Sequence, residues 1–253
     1  MASRYRTILL FGPPGAGKGT QGKVVGSVPG FYHLSCGDVF RNIDTATPLG
    51  RTFIEYSSRG LLVPDSETVQ MWQQHMHART VLSIYKPHVD LLLLDGIPRN
   101  VPQAVLLDKY IDVLKIVHLV CPDEEKMIER LRRRAVKENR LDDAREDVIR
   151  RRWEVYKKET YPVLAHYPKH LIAEVNAMGS PGRVLTEVLQ QLVPVQESHF
   201  LNRLSGEEEI AAEAANRLAT EAAANAAAAA AAKLNGHAGG DGVHAPQGTK
   251  ARN

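Results

Sequence analysis

A glycine-rich loop at residues 12–20 constrains the fold of this chain more than any other feature. Its sequence, Gly-Pro-Pro-Gly-Ala-Gly-Lys-Gly-Thr, follows an apolar run at 7–11 and precedes a stretch with helical character at 21–25. Strand, glycine loop and helix in that order are the context of a phosphate-binding loop. The glycines let successive N–H groups point at one anion, and the helix adds the positive end of its dipole. An ordinary turn after a strand would need none of this spacing, so the loop predicts a bound nucleoside triphosphate.

The loop and a later strand end carry groups suited to a magnesium nucleotide. Lys18 offers a point charge to the outer phosphates, and Thr20 offers a hydroxyl close to a magnesium ion. Asp95 closes a later apolar run and could hold the same ion, largely through water. The turn at 96–98 would aim Arg99 across the cleft, where an arginine fork suits a phosphate. Taken alone, Asp95 and Arg99 could also be a capping residue and a surface arginine.

Short apolar runs recur along the chain between longer amphipathic segments. They lie at 7–11, 31–35, 90–95, 115–121 and 170–176. Continuous apolar strands are buried on both faces, and their alternation with helices indicates a parallel sheet covered on both sides. The predicted fold is therefore α/β: a three-layer sandwich with a five-stranded parallel sheet and helices on both faces. Ligands bind at the carboxyl ends of the strands in such sheets, so the site is expected there.

The overall composition argues against several classes of protein. The 253 residues carry a net charge of +3, too small an excess to indicate nucleic acid or a membrane surface as a partner. The two cysteines, Cys36 and Cys121, argue against a disulfide framework or a zinc site and favour a reducing compartment. No signal-peptide core precedes the first strand, and no apolar run could span a bilayer. We therefore expect a cytoplasmic protein.

Arginines are densest between residues 130 and 152. Arg130 and Arg134 are four residues apart, which places them on one face of a helix, as a nucleotide clamp requires. A nucleic-acid interface is the competing interpretation, but interleaved aromatic residues are missing and acidic residues between 142 and 147 dilute the charge. Arg41 follows a small-residue turn and indicates either a second phosphate site or an ordinary surface arginine.

The composition changes after about residue 195. Residues 207–233 are rich in Ala and Glu, which predicts a helix, and residues 235–253 are Gly-rich and polar, which predicts disorder. One interpretation is a tether or partner helix. We favour a solvated extension without a catalytic role.

Six motifs, in this order, resemble those of the adenylate kinases, a group within the nucleoside monophosphate kinases. They are Gly12-Pro-Pro-Gly-Ala-Gly-Lys-Gly-Thr-Gln21, Ser35-Cys-Gly-Asp-Val-Phe-Arg41, Gly60-Leu-Leu-Val-Pro-Asp65, Leu94-Asp-Gly-Ile-Pro-Arg99, Arg140-Leu-Asp-Asp143 and Asn176-Ala-Met-Gly-Ser180. The resemblance implies the reaction ATP + AMP ⇌ 2 ADP with Mg²⁺, in a family that is typically monomeric. It implies a domain at 1–195 with an AMP-binding insert at 35–64 and a short lid at 134–144 that lacks a zinc-bearing insertion. It leaves the tail at 196–253 unexplained.

The resemblance also implies which residues bind each nucleotide. For ATP these are Gly15, Ala16, Gly17, Lys18, Gly19, Thr20, Arg130, Arg134 and Gly179. For AMP they are Cys36, Arg41, Leu61, Leu62, Val63, Gly96, Ile97, Pro98, Arg99, Gln103, Arg140 and Arg152. The catalytic residues around the transferred group would be Lys18, Arg99, Arg134, Arg140 and Arg152, with Thr20 and Asp95 near magnesium.

Three features depart from the family pattern. Cys36 stands where Thr or Ser is usual, so one hydrogen bond to AMP would be weaker or absent. Ile97 replaces a Phe whose backbone would make the contact. The stretch before Tyr156 is one residue longer than usual, which leaves Arg151 as an alternative to Arg152 for the second AMP-side arginine.

The identity of the acceptor base depends on Gln103. A glutamine amide can pair with the edge of adenine, as amides do in other complexes. Pyrimidine-monophosphate kinases carry Asn at that position, so AMP is the expected acceptor and UMP or CMP the second choice. An inactive nucleotide-binding regulatory protein is a further alternative, but it would have lost Arg99 or the lid arginines. A plain NTPase would not need the second site.

Overall fold

The computed structural model describes residues 4–138 and 145–199, except for the side chains of 136–138. The tail from residue 200 onward lies outside the described residues, as does most of the lid predicted at 134–144. The predicted helix at 207–233 and the predicted disorder at 235–253 fall in that excluded part. The division into a core, two inserts and a tail stays a prediction.

The core of the fold is a five-stranded parallel sheet. Its strands are β1 (Tyr5–Phe11), β2 (Phe31–Ser35), β3 (Leu91–Asp95), β4 (Ile111–Val120) and β5 (Ile172–Asn176), in the order β2-β3-β1-β4-β5. Each predicted apolar run coincides with one strand, so the predicted α/β class is confirmed. Strand β4 begins at Ile111 rather than at 115, because Ile111 pairs with Tyr5 although Asp112 interrupts the apolar pattern.

The apolar runs are continuous because both faces of the sheet are covered. Ile8 and Leu10 pack with one group of buried residues, while Leu9 and Phe11 pack with another group on the opposite face. All four side chains are at most 3% exposed. Successive side chains of a strand point to opposite faces, so a strand buried on both sides cannot alternate apolar with polar residues.

Eight helices are assigned in the described residues. They are α1 (Lys18–Val25), α2 (Cys36–Arg41), α3 (Pro48–Ser57), α4 (Asp65–Val81), α5 (Val101–Leu107), α6 (Glu124–Glu138), α7 (Glu146–Val155) and α8 (Pro181–Glu197). Helix α7 continues into a π-helical turn (Tyr156–Thr160) and then a 3-10 helix (Tyr161–His166), and a short 3-10 turn (Lys169–Leu171) precedes β5. Within 4–138 and 145–199, none of the helices has both the length and the apolar character that crossing a bilayer requires.

Side-chain caps start helices immediately after strands and turns. Ser35, the last residue of β2, accepts a hydrogen bond from the backbone N–H of Asp38 and begins α2 at once. Asn100 caps α5 and Ser180 caps α8 in the same way. Such a cap satisfies one of the N–H groups left free in a first helical turn. Helix α2 therefore starts directly at the carboxyl edge of the sheet.

That edge brings together residues far apart in the sequence. Leu10 pairs with Asp95, Phe11 pairs with His118, and Ser35 also pairs with Asp95. The glycine loop, the start of α2 and the turn after β3 therefore begin side by side.

Candidate nucleotide site

The glycine loop adopts backbone conformations that side chains would prevent. Gly12 has φ +146, and an added Cβ would lie 2.7 Å from the carbonyl oxygen of Leu119. Gly15 has φ +86, and a Cβ there would lie 3.1 Å from the carbonyl oxygen of Met127 on α6. L-residues rarely adopt positive φ, so glycine is required at both positions. The loop is thereby held between the sheet edge and α6.

Lys18 lies at the centre of a cluster of charges. Its Nζ donates hydrogen bonds to the carbonyl oxygens of Gly12 at 2.7 Å and Pro13 at 3.1 Å. Burial lowers the pKa of Lys18 to about 8; Asp95 acts against this, while Arg99, Arg152 and Arg134 lower it further. Cations that perturb one ammonium group in this way lie close to it, and their mutual repulsion favours a bound polyanion. The fold thus brings together four of the five residues predicted to surround the transferred group.

The fifth, Arg140, lies outside the described residues. Its predicted place around the transferred group stays a prediction.

Asp95 lies beside the loop, where magnesium was expected. It is buried at 7% exposure, and a Cβ added to Gly19 would lie 3.7 Å from its Oδ2. Thr20, in the first turn of α1, is exposed. In the described part of the chain, no three His, Cys, Asp or Glu residues are grouped as a metal site. One carboxylate and one hydroxyl fit a Mg²⁺ ion that takes most of its ligands from phosphates and water.

A cleft opens from Lys18 towards α2 and α3. Ten of the twelve residues predicted to bind AMP line it: Cys36, Arg41, Leu61, Leu62, Val63, Gly96, Pro98, Arg99, Gln103 and Arg152. Ile97 is 2% exposed and packs in the core beneath the turn, and Arg140 is outside the described residues. The walls of the cleft come from segments separated by more than a hundred residues, which supports one binding site rather than unrelated features.

Arg99 is positioned by the turn that carries it. Its Nε donates to the carbonyl oxygen of Gly96 at 2.9 Å, and the Ile97–Pro98 peptide is cis. Thr160 donates its hydroxyl to the carbonyl oxygen of Arg99 at 2.7 Å. Backbone and side chain of Arg99 are therefore both tied down beside Lys18.

Gln103 is buried at 1% exposure and held by hydrogen bonds at both ends of its amide. Its Oε1 accepts from the backbone N–H of Arg99 at 2.8 Å. Its Nε2 donates to Oδ1 of Asp65, also at 2.8 Å. Asn100 donates its side-chain amide to the same Asp65 oxygen at 2.8 Å and caps Gln103 with its own carbonyl.

A second hollow lies between α6 and the segment just before α8. Arg130 and Met178 line it together with Met127, and Arg130 donates to the carbonyl oxygen of Ala177 at 3.1 Å. Gly179 follows Met178 directly, just before α8. Arg130 and Met178, the neighbour of Gly179, therefore lie together, and neither lines the cleft on the predicted AMP side.

Comparison with known proteins shows the family of this chain. Residues 10–172 match the family model described as adenylate kinase. An adenylate kinase of Kocuria rhizophila is 37% identical over 191 residues, which cover 73% of this chain and 97% of that protein. An adenylate kinase of Thermobifida fusca is 37% identical over 197 residues, which cover 76% of this chain and 98% of that protein. One from Thermus thermophilus is 33% identical over 190 residues, which cover 72% of this chain and 95% of that protein. The chain belongs to the adenylate kinase family.

Membership of the adenylate kinase family settles the class of reaction. The chain is a phosphotransferase, and its reaction is reversible phosphoryl transfer between ATP and AMP. The resemblance drawn from the six motifs is thereby confirmed. An inactive nucleotide-binding protein and a UMP/CMP kinase are not favoured.

Cys36, the departure from the adenylate kinase pattern noted above, lies in the wall of the cleft. It is 2% exposed, and burial raises the pKa of its thiol to about 12. The side chain therefore stays a protonated thiol, which is a weak hydrogen-bond donor. This supports the expectation of a weakened contact with AMP.

Several residues of the cleft wall were not predicted from the sequence, among them Tyr156 and Thr160. Both line the cleft from the π-helical turn after α7. The hydroxyl of Tyr156 lies 3.0 Å from Nε2 of the buried His118, whose Nδ1 lies 3.5 Å from Glu174. Tyr156 follows Arg152 by four residues, and that helical spacing was the available signal. A π-helical turn has no comparable sequence signature.

Proposed function

We propose that the cleft between Lys18 and Gln103 holds AMP as acceptor while the glycine loop holds the phosphates of MgATP as donor. The observation that carries the proposal is that Lys18, Arg99 and Arg152 line one cleft beside the glycine loop, while Arg134 acts electrostatically on the same lysine. Phosphoryl transfer needs positioning and charge neutralisation more than covalent chemistry. A cationic junction between two nucleotide sites supplies both.

The proposed step is a direct transfer. An oxygen of the AMP phosphate forms a bond to the γ-phosphorus of ATP, and the bond from that phosphorus to the bridging oxygen breaks, leaving ADP. Its electron pair goes to the leaving oxygen. We assign no general base, because the attacking group is already an ionised phosphate oxygen.

Each group of residues has a proposed role in that step. The loop at 15–20 cradles the donor phosphates. Lys18 leaves the loop carbonyl oxygens that it now contacts and binds the outer phosphates of ATP. Arg99 and Arg152 hold the acceptor phosphate and the migrating group. Arg134 and Arg140 approach the migrating group from the lid side. Arg41 binds the AMP phosphate. Mg²⁺ neutralises the outer phosphates when bound, with Thr20 and Asp95 nearby, largely through water.

Exclusion of water is the second requirement, since ATP would otherwise be hydrolysed. We propose that the insert at 35–64 and the lid at 134–144 close over the bound pair. We further propose that the enzyme acts as a monomer in the cytoplasm and that the tail has no part in catalysis.

A coupled assay of ADP formation tests the function. The purified chain is supplied with MgATP alone, or with AMP, UMP or CMP added. We expect rapid ADP formation with AMP, much less with UMP or CMP, and almost none with ATP alone. Equal rates with and without AMP would indicate an NTPase and contradict the proposal.

Variants of the junction test the residue assignments. Lys18→Ala and Arg99→Ala should lower the rate by several orders of magnitude, because each removes a positive charge that faces the migrating phosphoryl group. The circular dichroism spectrum should stay unchanged. Arg132→Ala is the matched control: this exposed arginine of α6 pairs with Glu146 at 3.4 Å and should be neutral. Near-normal turnover of either junction variant would rule out the assignment.

A further inference from the structure

We propose that Asp65 is a positioning residue that locks the Gln103 amide in one orientation and thereby determines which bases the acceptor cleft takes. The inference rests on the proposed function, because it concerns how that cleft reads the base of AMP. Asp65 is the first residue of α4 and does not belong to the cleft wall, so it acts through Gln103.

The contacts of Gln103 leave a single orientation for its amide. A backbone N–H can only donate, so the atom that faces Arg99 N at 2.8 Å must be Oε1. A carboxylate can only accept, so the atom that faces Asp65 Oδ1 at 2.8 Å must be Nε2. The two neighbours lie at opposite ends of the amide and specify the same orientation.

Asp65 is itself fixed by a third contact. The side-chain amide of Asn100 donates to the same Oδ1 at 2.8 Å. The side-chain carbonyl of Asn100 is itself held, because it accepts a hydrogen bond from the backbone N–H of Gln103. If the Gln103 amide were reversed, its NH₂ group would face the backbone N–H of Arg99, and its oxygen would face the carboxylate of Asp65. Both hydrogen bonds would be lost. Because Gln103 is 1% exposed, water could not compensate for those losses.

The locked amide presents a defined pattern to a base. Nε2 has a second hydrogen and Oε1 a second lone pair that these contacts leave available. Adenine offers an acceptor at N1 next to an amino donor at C6, which complements that pair. Hypoxanthine is of the same size but offers a donor at N1 and an acceptor at O6, which opposes it. Cytosine has the same donor and acceptor pattern as adenine, and uracil has the same pattern as hypoxanthine. The lock therefore excludes IMP and UMP by hydrogen bonding, whereas CMP would have to be excluded by ring size.

The experiment compares AMP with IMP as acceptor, using MgATP as donor and the full chain. Asp65→Ala and the similarly sized Asp65→Leu both remove the carboxylate that holds Nε2, leaving only the Arg99 N–H to orient the amide. We expect each to raise KM for AMP about tenfold and to lower the AMP-to-IMP ratio of kcat/KM by about tenfold or more, with KM for ATP unchanged. Asp65→Asn retains an acceptor oxygen and should restore most of the ratio. Two substitutions at one site keep the test decisive should one of them fail to fold.

Glu67→Ala is the matched control. Glu67 also lies in the first turn of α4, so its removal costs the same favourable interaction with the helix dipole, but its side chain bonds Ser66. We expect this variant to keep the wild-type ratio. An unchanged AMP-to-IMP ratio in the Asp65 variants, or an equal fall in Glu67→Ala, would overturn the role of Asp65. Absence of AMP-dependent ADP formation in the wild type would instead overturn the proposed function, and the inference with it.

Discussion

At the scale of single residues, Lys18 shows how the site is prepared for an anion. Its ammonium group is held by two loop carbonyls, and the positive charges of Arg99, Arg134 and Arg152 act on it. Burial and these cations lower its pKa to about 8. A bound triphosphate would reverse the local field, because its negative charges favour the protonated lysine.

ATP binding should therefore be accompanied by proton uptake at alkaline pH. Lys18 in the free enzyme is partly deprotonated at pH 8 and above, and its pKa should rise when phosphates bind. Calorimetric titrations at pH 8.5 in buffers of different ionisation enthalpy would measure the uptake. We expect a fraction of a proton per ATP in the wild type and less in Lys18→Met. Equal uptake by the two proteins would contradict the charge balance described for Lys18.

At the scale of elements, the packing of α1 on β2 fixes the direction of the loop. Gly22 and Gly26 face His33 of β2, and an added Cβ would lie 2.3 Å from His33 Nε2 at Gly22 and 2.5 Å from His33 Cβ at Gly26. Glycine allows the helix to approach the strand this closely. The N-terminus of α1, which carries Lys18, is thereby held against the sheet edge.

Gly22→Ala should destabilise the protein. The new methyl group must displace His33 or the helix, an overpacking that costs about 1–3 kcal/mol. Gly182→Ala is the matched control, because no atom lies within 4 Å of a Cβ added there, near the start of α8. Its stability should stay the same or rise by up to about 1 kcal/mol. Urea unfolding of both variants would measure the difference, and equal midpoints would show that α1 is not so closely packed.

The elements were more predictable than the contacts between them. The strands and the glycine loop were found because apolar runs and glycine spacing are local signals. The role of Asp65 was not found, because it lies 38 residues from Gln103 and only the fold brings the two together. Tyr156 was missed for the same reason: it lies in the turn after α7, and its partner His118 lies in β4, 38 residues away. Arg140 and the tail stay as predictions.

At the scale of the whole molecule, the parallel sheet collects charged and buried groups at one edge, and some of these link stability to pH. His118 is 4% exposed and is faced by Glu174, Lys18, Tyr156 and the ring of Tyr161. Burial lowers its pKa; Glu174 opposes that shift, and Lys18 adds to it. The folded protein therefore binds a proton at this site less readily than the unfolded chain.

Acid should accordingly destabilise the fold. A lowered histidine pKa contributes full stability above the unfolded value of about 6.5, and that contribution is lost as the pH falls below it. We expect the urea midpoint to be constant above pH 7 and to decline between pH 6.5 and 5. His118→Gln should reduce the decline, with half-buried His33, whose pKa is also lowered by burial, accounting for part of the remainder. A decline of the same size in His118→Gln would exclude this histidine as a cause.

The central claim is that two nucleotides meet phosphate to phosphate at the junction of Lys18, Arg99, Arg134 and Arg152. The most direct measurement is calorimetric titration with a mimic in which two adenosines are joined through a chain of phosphates. We expect one molecule to bind per chain, to compete with ATP and with AMP, and to bind at least about tenfold more weakly to Arg99→Ala, which lacks a charged hydrogen bond. Two independent molecules per chain, or binding that competes with ATP but not with AMP, would contradict the claim.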